Sequence, residues 1–92
     1  MLAPFSESAT TLPLGVYEHY KGNRYEVLSV GRHSETHEEM VVYRALYGSF
    51  DYWIRPLDLF LETVIWNGRR VQRFRLVESR TEERCSAKTN DD

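Results

Sequence analysis

The sequence predicts an all-β domain, built either as a small SH3-like barrel or as a strongly curved antiparallel sheet with one short helical turn. Three observations predict it. Apolar and polar residues alternate with a period of two over much of Leu14 to Val77, the period of a strand with one face buried. Turn chemistry recurs at short intervals, at Gly22-Asn23, Gly48 and Asn67-Gly68. No segment carries the 3.6-residue period of a long amphipathic helix.

The elements follow in order. Val16 to Tyr20 reads as a first strand, and Lys21-Gly22-Asn23 turns the chain because Gly and Asn tolerate positive φ. Arg24 to Val30 is a second strand ending near Gly31. Met40 to Tyr47 is apolar at almost every position, which predicts a central strand covered on both faces. Gly48 to Asp51 leads into Tyr52–Arg55, and Pro56 ends that strand because it has no N–H to give a ladder. Pro56 to Phe60 has the look of a single helical turn. Glu62–Trp66 and Arg70–Val77 flank Asn67-Gly68, a strong hairpin signal. A one-turn helix before the closing strands is also how SH3-like barrels finish, an analogy of form that carries no function.

The ends read differently. Residues 1–13 are rich in Ser, Thr, Pro and Ala and are expected to be a flexible arm. Residues 78–92 carry only Cys85 and Ala87 as apolar side chains and are expected to be a flexible polar tail. The folded unit is therefore 14–77, a single domain holding every aromatic residue except Phe5.

Composition narrows the function. With 41% hydrophobic and 28% charged residues the chain is of globular type. Its formal net charge of −2 argues against holding nucleic acid by bulk electrostatics. The single cysteine excludes an intrachain disulfide and a cysteine metal cluster. No stretch nears the ~20 apolar residues of a membrane helix, and Met1 to Pro4 lacks the form of a secretory signal. The expectation is a cytoplasmic protein without a membrane partner.

Four blocks also carry a resemblance: Gly15 to Val27 with its HYKG stretch at His19–Gly22, RHSET at Arg32–Thr36, Val42 to Gly48, and Arg55 to Phe60 with its RP pair. In content and order they resemble the bacterial family catalogued as domain of unknown function 1653, from about Gly15 to Phe74. The resemblance implies a small β-rich domain and assigns no activity. Where that family often has Ala before RHSET, this chain has Gly31.

Arg32 to Glu39 is the densest set of chemically capable side chains. His33, Ser34 and Glu35 could in principle supply base, nucleophile and orienting acid, yet neighbours on an extended segment point in alternate directions. The competing reading has Ser34 and Thr36 bonding nearby backbone while Glu35 and Glu38 stay solvated. His33 and His37 invite a metal, but four-residue spacing puts them on one face only in a helix, and the surroundings read as a loop. No metal or other cofactor is expected. Arg69, Arg70, Arg73 and Arg75 form a basic run that reads as a solvated face. Arg55 is placed to pair with a carboxylate, from Glu35, Glu38 or a ligand.

The leading reading is a non-catalytic binding module for a peptide, a protein or a small polar ligand. Its site would comprise His19, Tyr20, Arg32, His33, Ser34, Glu35, Thr36 and Arg55. A small hydrolase-like or metal-assisted enzyme using His33 and Glu35 is the alternative, and nucleic-acid binding through Arg69 to Arg75 comes third. Nothing in the pattern speaks to oligomeric state.

Overall fold

The computed structural model describes residues 3–80. Its elements are α1 (Glu7–Thr11), β1 (Gly15–His19), β2 (Arg24–Arg32), β3 (Glu39–Ala45), β4 (Tyr52–Pro56), α2 (Leu57–Phe60), β5 (Thr63–Trp66), β6 (Arg69–Gln72) and β7 (Phe74–Ser79). Five strands form one antiparallel sheet in the order β4-β3-β2-β1-β7, and β5 pairs with β6 in a separate two-stranded ribbon. The fold is all-β, as the alternation requires. Among the described residues β4 and β7 are not paired to each other, so the sheet stays open and the barrel alternative does not apply. Register shifts at Val27/Ser29 and at Val16/Tyr17 bend it.

One face of the sheet carries the core. Tyr17, Val27, Val41, Tyr43 and Phe74 project from the strands and are closed over by Leu57 and Phe60 of α2 and by Ala9 of α1. The rings pack mostly edge to face: Phe60 meets Tyr17 at 5.4 Å and Tyr43 at 5.6 Å between centroids, and stacks on Phe74 at 4.3 Å. Aromatics carry so much of the core because a unit this small must bury large side chains to be stable. Tyr17 keeps a partner inside, donating to the Pro13 carbonyl at 2.7 Å, and burial pushes its phenol pKa up to about 12.

Three features depart from the sequence reading. First, the arm of residues 1–13 includes a short helix: Ser6 caps α1 by accepting the Ala9 N–H, and Ala9 is buried in the core with Leu12 and Leu14 packed beside it. Ser6 also donates through N–H and hydroxyl to the Glu39 carboxylate, both at 2.7 Å, holding its pKa below the usual value with help from Arg32. Arg32 in turn donates to the Ala3 carbonyl and lies 4.3 Å from the Phe5 ring. The partners of this clasp are about thirty residues apart in sequence, so no local period announces it. Second, the last expected strand, Arg70–Val77, is two strands, broken where the Arg73 N–H turns to the Glu62 carbonyl. Third, β3 has neighbours on both sides, but only Val41, Tyr43 and Ala45 are buried, and Met40, Val42 and Arg44 on its other face are half-buried. Of the expected tail, residues 78–92, Glu78 and Ser79 belong to β7, and the part from Thr81 on, with Cys85, lies outside the described residues. No helix among the described residues is long and apolar enough to cross a membrane.

Candidate functional site

The sequence-predicted site residues fall at two places. His19 closes β1, and its N–H bonds the Asn23 carbonyl at the start of β2. Arg32 ends β2, eight residues beyond Arg24, or roughly 26 Å away at the usual strand rise. The RHSET stretch and the His19–Tyr20 pair therefore sit at opposite ends of the sheet. Arg55 joins the His19 end through its side chain: its Nε donates to the Tyr43 hydroxyl at 3.4 Å and its guanidinium lies 5.9 Å from the Phe74 ring, which itself meets His19 at 5.1 Å. It makes no ion pair with Glu35 or Glu38 among the described residues.

The RHSET side chains are largely spent on their own turn. The backbone closes the β2–β3 connection with His33 N–H to the Glu38 carbonyl and His37 N–H to the His33 carbonyl, both at 2.8 Å. The His33 imidazole bends over this turn, and its Nδ1 accepts the N–H groups of Glu35 at 3.0 Å and Thr36 at 3.2 Å. The Thr36 hydroxyl accepts the Glu38 N–H, and the Ser34 hydroxyl donates to Glu35. His37 holds the left-handed conformation that ends the turn. His33→Ala should therefore lower stability by about 1 kcal/mol, the net contribution of a hydrogen bond. His33→Asn should recover most of it, because its amide oxygen can accept the same donors. Urea melts decide this; an alanine variant as stable as the native chain would show that the cap contributes nothing.

A groove of about 310 Å³ opens at the other end, between the β1–β7 edge and the β5–β6 ribbon. Sequence explains its walls. Asn67 and Gly68 both take positive φ, the requirement of a tight two-residue hairpin, and this turn brings Trp66 beside Tyr20 with ring centroids 5.1 Å apart. Tyr20, expected as the last residue of the first strand, lies instead just past the end of β1, where alternation lapses, and stacks on the His19 ring at 4.5 Å. Arg75 of β7, opposite Glu18 in the ladder, forms an ion pair with it at the rim. Gly22 of the β1–β2 turn and Val71 and Gln72 of β6 complete the lining.

The environment of the imidazole in this groove favours its neutral form. Burial lowers its pKa first, and the positive charges of Arg73, Lys21 and Arg55 lower it further. Its Nδ1 accepts the Lys21 N–H at 3.1 Å, so the proton of the neutral ring sits on Nε2, leaving that atom as a donor. Arg73 pairs with Glu62 at 3.4 Å while its buried Nε has no partner among the described residues. Two arginines of the basic run thus face carboxylates, Arg73 to Glu62 and Arg75 to Glu18. Sequence reasoning missed Glu18, Val71, Gln72 and Arg75 as groove residues. The hairpin turn signalled where Trp66 would go, but the β1–β7 pairing joins residues 57 positions apart. No three His, Cys, Asp or Glu side chains converge among the described residues.

The family model for the protein of unknown function DUF1653 matches residues 15–76, from the first residue of β1 into β7. The chain belongs to the DUF1653 family. A crystal structure of a DUF1653 protein from Bordetella bronchiseptica has the same fold, with a TM-score of 0.72 and 36% identity over 77% of this chain and 94% of that one. No curated protein matches. The matched span of this DUF1653 domain includes both the His19 groove and the RHSET turn, and begins after α1.

Proposed function

We propose that this DUF1653 domain is a non-catalytic binding module that takes a peptide or a small polar ligand in the groove lined by His19, Tyr20 and Trp66. The observation that carries the reading is the groove itself: two aromatic rings in edge-to-face contact, an imidazole stacked on one of them, and a guanidinium at the rim. Aromatic walls supply contact area, and the polar tips fix orientation. The cations that lower the His19 pKa make the place favourable for a carboxylate, and Nε2–H and Arg75 are donors suited to one. Arg55 supports the floor through Tyr43 and Phe74. In this reading Arg32 to Thr36 shape a turn and contribute no ligand contact. The catalytic alternative is weaker, since the His33 Nδ1 already accepts two backbone donors and is not free to act as base.

Calorimetric titration with N-acetyl-L-tryptophan tests the proposal, with the uncharged amide of the same compound as control. The free acid should bind with a dissociation constant of about 1 mM, and Trp66→Ala should weaken it by about tenfold, or about 1.4 kcal/mol. Trp66 is 41% exposed, so the variant should stay folded. Equal affinity of native and variant chains, or equal affinity for acid and amide, would count against this site.

A further inference from the structure

We infer that the domain pairs with a second copy of itself through the free edge of β4, in one particular register. The edge is apolar and open. Among the described residues no strand lies beyond β4, and Tyr52, Trp53 and Ile54 are 63%, 51% and 64% exposed. An open edge with large apolar side chains is a template for strand pairing, and in β4 only Arg55 and Pro56, at its far end, blunt it.

The ladder with β3 says which groups are free. Ala45 N–H bonds the Asp51 carbonyl at 2.9 Å, and the pairing continues as Tyr43↔Trp53 and Val41↔Arg55. Hydrogen-bonded pairs alternate along an antiparallel ladder, so Asp51, Trp53 and Arg55 turn their backbone groups to β3. Tyr52 and Ile54 turn theirs outward.

Those outward groups are self-complementary. An antiparallel second copy that sets Tyr52 opposite Ile54 satisfies all four outward N–H and C=O groups reciprocally. A shift by two residues towards Pro56 would lose a donor, because proline has no N–H. A shift towards Phe50 meets a residue in the left-handed conformation, outside the strand. In the favoured register the two-fold axis runs between the Trp53 rings of the two copies. Asp51 of each copy then stands opposite Arg55 of the other, and Asp51 has no ion pair among the described residues. On the opposite face, Tyr52 of the second copy falls beside Ile54, at the rim of a hollow of about 330 Å³ whose apolar side is Met40, Val42 and Ile54 and whose polar side is Arg32, His33 and Ser34 with Gly31. A five-residue edge buries less than the ~1,200 Å² of a permanent interface, so the dimer is of the weak, exchanging kind.

Sedimentation of the full chain from about 10 μM to about 1 mM tests this, a range that captures weak association. A monomer–dimer equilibrium is expected, and Trp53→Lys should weaken it at least about tenfold by setting like charges across the axis. The register is read by cross-linking on a Cys85→Ser background. Trp53→Cys should oxidise to a dimer readily, because cross-strand Cα atoms at such a pair lie ~4.5 Å apart, within reach of a disulfide. The exposed control Ile65→Cys, on the other ribbon, should not. A chain that is monomeric throughout overturns the proposal, including the case where β4 serves a foreign peptide strand instead. So does a dimer indifferent to Trp53→Lys, or cross-linking no faster at position 53 than at position 65.

Discussion

Gly15→Ala is expected to lower the stability of the domain by about 2–6 kcal/mol. Gly15 opens β1 with φ +137°, a conformation L-residues rarely adopt, and an added Cβ would stand 2.2 Å from the Glu78 carbonyl oxygen and 2.7 Å from the Arg80 nitrogen. Both neighbours are backbone atoms of the paired segment at the end of β7, so neither can swing aside as a side chain could. Strained backbone contributes about 1–3 kcal/mol and overpacking a further 1–3 kcal/mol. A domain of this size has only about 5–10 kcal/mol in all. Gly31→Ala is the control: a Cβ there meets nothing among the described residues within 4 Å, and the change should stay within about 0.5 kcal/mol. Urea midpoints at an unchanged slope compare the two directly. Equal effects would mean that the β1–β7 junction is not as tight as described.

Phe60→Ala should lower stability by about 3–5 kcal/mol, the range for a large buried aromatic whose cavity cannot fully collapse. Phe60 is 1% exposed and joins Tyr17, Tyr43 and Phe74, rings contributed by β1, β3 and β7. Its removal therefore loosens three strands at once. Leu59→Ala, on the exposed side of α2, should lower stability by less than about 1 kcal/mol. A chemical melt that ranks the two variants together would contradict the placement of α2 as the lid of the core.

What was legible in the sequence is what local chemistry dictates. Pro56 stopped β4 and started α2, and Asn67-Gly68 folded β5 onto β6, because proline geometry and positive φ act within a few residues. Period two located the strands for the same reason. What depended on distant partners was not legible. Ala9 and Leu12 are too few to show a helical period, and the segment leading into α1 is held across the fold, Ala3 and Phe5 by Arg32 and the cap Ser6 by Glu39. The break at Arg73 likewise answers to Glu62, not to its neighbours.

The site shows the same division. Density of capable side chains drew attention to Arg32–Thr36, but His33 and Thr36 accept N–H groups of the turn's own backbone and Ser34 donates to Glu35. Chemical density in a tight connection is as well explained by the turn's need for acceptors. His19, Tyr20 and Arg55 could be named from sequence, whereas their company could not. Trp66 and Arg75 reach them only through the ribbon and the β1–β7 ladder.

The groove at His19 and the turn at His33 are far enough apart for one measurement to separate them. In a two-dimensional amide and indole NMR titration with N-acetyl-L-tryptophan, the groove predicts saturable shifts at His19, Tyr20, Gln72 and the Trp66 indole N–H. The Arg32–Thr36 amides should stay unmoved up to about 10 mM, some tenfold above the expected dissociation constant. Shifts centred on Glu35 and Thr36 with the Trp66 indole unchanged would contradict the assignment and return the binding site to the RHSET turn.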